Sequence, residues 1–131
     1  MKFRNFLLPA IFLIPTVAVA EPHIFADEIT NNVGFTNLDT TPTKNDGCSV
    51  NEGIMRITGS QYSKSGRYIE LLKLTRRDGQ TFVIPTNFEK LNNGDISRSE
   101  EISKTGSDVF VRFSTCGSGG YQSLIDILKP L

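Results

Sequence analysis

Hydrophobic positions recur at two-residue spacing through much of the chain after residue 50. Asp108–Cys116 (DVFVRFSTC) shows it most clearly: Val109, Val111, Phe113 and Thr115 fall on one side, Phe110, Arg112 and Ser114 on the other. Successive side chains of an extended backbone point to opposite faces, so this alternation predicts a half-buried strand. GIMRITG (53–59), RYIELLKLT (67–75), TFVIPT (81–86) and YQSLIDILK (121–129) read as further strands, each bounded by Gly, Asn, Asp or Ser. In the last of these, Leu124, Ile125, Ile127 and Leu128 fit a short helix face as well as a strand, and strand is the preferred reading. Gly117-Ser118-Gly119-Gly120 then becomes the hairpin loop joining the final two strands.

Turn chemistry sets the expected pairings. Asp78-Gly79 separates two apolar-rich runs and accepts the positive φ angles of a two-residue hairpin turn, which would place Leu74 opposite Val83. Pro85 has no N–H to donate, so its strand should end there or lie on an edge. Residues 87–107 break the rhythm, with a helical candidate at Phe88–Leu91 stopped by Asn92-Asn93-Gly94 and then a long polar connection holding at most one short strand. Residues 28–47 have apolar positions of no steady period. Residues 21–47 therefore read as an irregular N-terminal arm, from which Phe35 and Leu38 could still dock, ahead of a compact β-rich domain at 48–131.

The first twenty residues change the picture of where the chain works. Lys2 and Arg4 precede an uncharged apolar run that holds Pro9 and Pro15 and closes on Ala18-Val19-Ala20, the layout of a secretory signal peptide cleaved after Ala20. The run is shorter than the ~20 apolar residues a bilayer span needs. A periplasmic or secreted location follows, with no membrane span after cleavage. The fourteen basic and fourteen acidic residues balance, and loss of Lys2 and Arg4 leaves the mature chain slightly acidic, without the basic stripe a nucleic-acid partner would want. Cys48 and Cys116 are the only cysteines, and in an oxidising compartment they are expected to pair. Closing a loop of that length is worth roughly 4 kcal/mol in the chain-entropy picture. No metal or cofactor is expected: two thiols fall short of a closed zinc site, and the single histidine, His23, stands near the mature N-terminus.

Ser118 sits in Cys-Gly-Ser-Gly-Gly, whose Ser-Gly-Gly resembles the nucleophile stretch of trypsin-like proteases, but Gly117 replaces the Asp and no His-bearing motif precedes it. A nucleophilic serine needs a positioned base. His23 is the one histidine, and spacing selects neither Lys104 nor Lys129, so Ser118 is expected to be a turn residue. Asp95, Glu100 and Glu101 lie in the most polar stretch and read as a solvated acidic surface. An oxidised Cys116 is no nucleophile.

The remaining constellation is a binding face. Tyr62, Lys64, Arg67 and Tyr68 cluster in a polar loop between two strands, and Arg76 and Arg77 stand at a hairpin end. Tyr and Arg combine large contact area with directional hydrogen bonds, which makes them frequent interface anchors. Ser65-Gly66-Arg67-Tyr68 resembles, one residue short, the Ser-Gly-x-x-Tyr loop of small periplasmic lysozyme inhibitors, a resemblance that covers four positions. The expectation is a mainly β protein (an antiparallel sheet, small sandwich or partly open barrel, or α+β with one short helix) held by one disulfide. Its expected role is that of an inhibitor, immunity protein or envelope accessory factor. It would bind another protein, such as an envelope enzyme or toxin, without catalysing a reaction. A small secreted hydrolase using Ser118 or surface carboxylates, and a structural subunit of a surface assembly, are the alternatives.

Overall fold

The computed structural model describes residues 23–27, 32–40 and 47–130; the predicted signal peptide lies outside them. Among these residues, seven strands form one antiparallel sheet: β1 (His23–Asp27), β2 (Asn32–Thr36), β3 (Cys48–Tyr62), β4 (Ile69–Thr75), β5 (Thr81–Pro85), β6 (Asp108–Cys116) and β7 (Tyr121–Pro130). Their order across the open sheet is β1-β2-β7-β6-β3-β4-β5. A 3-10 turn at Phe88–Lys90 and one helix, α1 (Asn93–Ile102), connect β5 to β6. Cys48 and Cys116 face each other in register at the ends of β3 and β6 and are joined by the disulfide. The mainly β reading with one short helix and one disulfide therefore holds.

β6 realises its alternation: Val109, Val111 and Phe113 are buried, while Phe110 and Arg112 lie on the half-exposed side. YQSLIDILK is a strand. Its helix-like pattern has a local cause, a register shift after Arg112–Asp126 that pairs Phe113 with Leu124 and leaves Ile125 as an extra residue. The extra residue puts Leu124 and Ile127, three apart, on the same core-facing side opposite Phe113 and Val111, while Asp126 lies opposite Arg112 on the other face. Pro85 ends β5, which is an edge strand, as its missing N–H requires.

Three expectations are corrected. The β4–β5 hairpin has one more loop residue than a two-residue turn: Arg76 N–H donates to Gln80 O, Gly79 N–H to Arg76 O, and Gly79 takes φ 92°. This is a type I turn followed by a left-handed glycine. The extra residue slides the register by one, so Leu74 faces Phe82 and Val83 faces Lys73. A one-residue slide exchanges the two faces of a strand; Phe82 packs inward and Val83 is exposed. Second, the helical candidate is a 3-10 turn that ends before Asn92 as expected, but the long polar connection expected to follow is replaced by a helix that starts at Asn92-Asn93-Gly94. The Asn92 side chain accepts from Asp95 N–H at 2.9 Å, an N-cap, and Ile96, Ser99 and Ile102 form the buried face of α1. Third, the N-terminal stretch read as irregular supplies β1 and β2, and Phe35 and Leu38 are wholly buried in the same core as the rest of the sheet.

The core lies on the concave side of the sheet. Met55, Ile57, Leu72, Leu74, Ile84, Val109, Val111 and Ile127 point into it, and Phe88, Leu91, Ile96 and Ile102 from the helical connection cover it. Each such side chain contributes ~1.5–3 kcal/mol on full burial. The sheet curls, so that β5 approaches β7 across its concave face. No ladder closes that gap, but the Asn87 amide, on a residue with φ 65°, donates to Ser123 Oγ at 2.8 Å and Leu124 O at 2.9 Å. β3 is stepped. Its first half, Cys48–Arg56, pairs with β6, its second half, Arg56–Tyr62, pairs with β4, and Arg56 alone is paired on both sides.

Candidate functional site

The step in β3 creates a groove of about 400 Å³ on the convex face, where the turn at 76–80 leaves the sheet. One cross-strand row forms its floor: Asp108 on β6 is paired with Arg56 on β3, Arg56 with Thr75 on β4, and Thr75 with Thr81 on β5. Arg56 Nε donates to Asp108 Oδ1 at 3.1 Å and a second nitrogen reaches Oδ2 at 3.5 Å. This hydrogen bond and the carboxylate charge push the Arg56 guanidinium further above its ordinary value. Both side chains are more than half exposed, so the pair aligns the groove more than it stabilises the fold. Thr58, two residues on from Arg56, faces the same side, and its hydroxyl lies 3.0 Å from that of Thr75, itself 3.2 Å from Thr81 Oγ1.

The rim is cationic and apolar. Arg76 is held in place by Asp78 at 3.1 Å and Gln80 Oε1 at 2.6 Å, with its guanidinium carbon 5.5 Å from the centre of the Phe82 ring. Gln80 N–H first and the Arg76 guanidinium second hold the Asp78 carboxyl below the usual aspartate range. Arg77 is exposed on the same groove. Ile54, 69% exposed, lines the groove from β3, and Val50 and Val83 are further outward-facing aliphatics. The groove thus brings together hydroxyls, guanidiniums and bare aliphatic side chains from adjacent strands. Among the described residues no cluster of three or more His, Cys, Asp or Glu side chains is placed to hold a metal ion.

The six residues predicted as a binding set fall at the two ends of β4. Arg76 and Arg77 belong to the groove; Tyr62, Lys64, Arg67 and Tyr68 belong to the loop at the opposite end. That loop is fastened to the helical connection. Tyr62 Oη donates to Glu100 Oε2 at 2.6 Å, and this bond, with lesser contributions from desolvation and the carboxylate charge, raises the phenol above its ordinary value. Arg67 Nη2 donates to Leu91 O at 2.9 Å, Tyr68 packs against the core, and Lys64 stays exposed. Arg56, Thr75 and Asp108 were invisible as a set in the sequence, because the register that aligns them joins strands far apart in the chain. The one local signal was Arg56 standing between Met55 and Ile57, on the face opposite two core residues.

Ser118 lies exposed in the β6–β7 turn, where Gly117 and Gly120 take φ 74° and 67°. Lys104 pairs with Glu101 at 3.0 Å, and Lys129 Nζ donates to Glu101 O at 3.4 Å. Both lysines therefore stand at the opposite end of β6 and β7 from Ser118, about 25 Å along an extended strand. Lys104 also holds the Glu101 carboxyl below its ordinary range. Asp95 sits in the first turn of α1 and Glu100 receives the Tyr62 hydroxyl.

No helix among the described residues is long and apolar enough to cross a membrane. Comparison with protein-family models, curated proteins and solved structures finds no match.

Proposed function

We propose that this is an exported binding protein, of the inhibitor, immunity or envelope-accessory kind, that engages another protein through the convex face around the β3 groove. The observation that carries the reading is Ile54: a large aliphatic side chain 69% exposed on a rigid strand, beside the exposed Arg77 and the pre-positioned Arg76. Apolar contact area next to arginines is the composition of interface anchors. Side chains already fixed by a sheet lose little freedom on binding, so more of the contact energy appears as affinity. The leader-like first twenty residues and the disulfide support action in an oxidising, extracytoplasmic compartment.

The test is capture from envelope extract by immobilised chain beginning at Glu21. A saturable partner should be recovered by the natural sequence and lost at least tenfold with Ile54→Asp or Arg77→Glu, both exposed positions at which the thermal midpoint should hold. Tyr62→Ala with Arg67→Ala serves as the competing arm. Loss of the partner in that arm alone would move the site to the loop at residues 62–68, and recovery unchanged in every variant would sink both assignments.

A further inference from the structure

Among the described residues, the step leaves the first half of β3 with one edge unpaired. Gly117 N–H donates to Gly47 O at 3.1 Å and Ile57 N–H to Ser107 O at 2.9 Å, at the two ends of a β3–β6 ladder without register shifts. In an antiparallel pair, residues alternate between those that turn both N–H and C=O to the partner and those that turn both away. The odd-numbered residues of this half of β3 therefore bond to β6. Val50, Glu52 and Ile54 present their N–H and C=O groups to the opposite edge, where no described strand pairs until β4 begins at Arg56. All three side chains are exposed, and the space where a Cβ on Gly53 would stand is open.

Charge narrows what can lie along this edge. Glu52, Arg112 and Asp126 form a row across β3, β6 and β7. Asp126 takes Arg112 Nη1 at 3.2 Å and Asn37 N–H at 3.0 Å, whereas Glu52 Oε1 is 3.6 Å from Arg112 Nε, beyond hydrogen-bond reach. One guanidinium thus serves two carboxylates, and the outer one, at the middle of the open edge, keeps charge to offer. Two copies of this chain pairing edge to edge with Val50 against Ile54 would set Glu52 against Glu52, and like charges directly opposite are destabilising.

We propose that the Val50–Ile54 edge takes up an extended segment of a partner protein as an added antiparallel strand, the segment carrying Lys or Arg between two apolar residues at alternate positions. This rests on the binding reading above and names the chemistry of the partner. The cation would stand opposite Glu52, the apolar residues opposite Val50 and Ile54, and the main-chain groups of the edge would supply affinity independent of sequence.

The probe is the blocked heptapeptide Thr-Ile-Thr-Lys-Thr-Val-Thr, titrated against the chain beginning at Glu21 with fluorescence anisotropy and amide hydrogen exchange. Binding should protect the amides of Val50, Glu52 and Ile54. Replacing the peptide's Lys by Glu should weaken binding about tenfold, and Glu52→Lys in the protein should invert that preference. N-methylation of the peptide's Lys, whose N–H would point at β3, should abolish binding, while N-methylation of the Thr beside it should not. These peptide variants leave the protein's fold untouched. Absent binding at millimolar peptide, indifference to the Lys-to-Glu change, or protection elsewhere would overturn the proposal. A dimer protected at Val50–Ile54 would also overturn it, by giving the edge to a second copy. A captured partner that is lost with Ile54→Asp but neither displaced by the heptapeptide nor sensitive to Glu52→Lys would leave the binding reading standing and remove this one.

Discussion

The ring of Phe82 on β5 packs against the ring of Phe113 on β6 with centroids 5.0 Å apart, although β4 and β3 lie between those strands in the sheet. Only a strongly curled sheet brings these rings together. The same Phe82 ring carries the Arg76 guanidinium, so the rim of the groove is braced on the core.

A double-mutant cycle measures that contact. Phe113 is fully buried, and Phe113→Ala should cost about 3–5 kcal/mol in urea unfolding. Phe82→Leu and Phe113→Leu combined should show a coupling of about 0.5–1.5 kcal/mol. Additive effects would mean that the rings do not meet in solution.

Gly34 is required by close approach. A Cβ there would run into the carbonyl of Ile127 and lie 2.8 Å from Leu128 Cα, both backbone of β7. Gly34→Ala should therefore destabilise by at least ~1–3 kcal/mol, and exchange should rise first at the β2–β7 ladder. Unchanged protection of that ladder would show that β2 does not pack on β7 as described.

Asn92 is the cap that turns an apparent stop into a start. Asn92→Ala should cost about 1 kcal/mol and Asn92→Asp almost nothing, because the carboxylate can still accept from Asp95 N–H. Equal losses in calorimetry would assign Asn92 some role other than capping.

Tyr62 links pH to the loop at residues 62–68. Its hydroxyl donates to Glu100 only while protonated, so the folded chain raises the phenol's pKa. The sign follows: the contribution is complete below the unfolded tyrosine value of about 10 and is lost as pH rises through the higher folded value. Subtracting the ultraviolet titration of Tyr62→Phe from that of the natural chain isolates this phenol. A midpoint at or below 10 would refute the Tyr62–Glu100 bond.

Strand content was legible wherever one face is buried and the other wet, since period-two alternation is itself the record of that environment; Val109, Val111 and Phe113 show it. The pairing of the two cysteines followed from their number and the leader-like pattern of the first twenty residues. It failed where the backbone departs from regularity at a single residue. The extra residue in the 76–80 turn exchanged Phe82 with Val83, and Asn92 served as a cap at what looked like an end; the bulge at Ile125 gave a helix-like spacing, but the preferred reading of a strand there holds.

By itself, then, the sequence determined the local state of most of the chain and the covalent bond. The tertiary structure alone decided which halves of β3 are paired, and with that the groove and the open edge. Alternation is a short-range property of neighbouring side chains. Register between Arg56 and Asp108, 52 residues apart, is a property of the whole packed core.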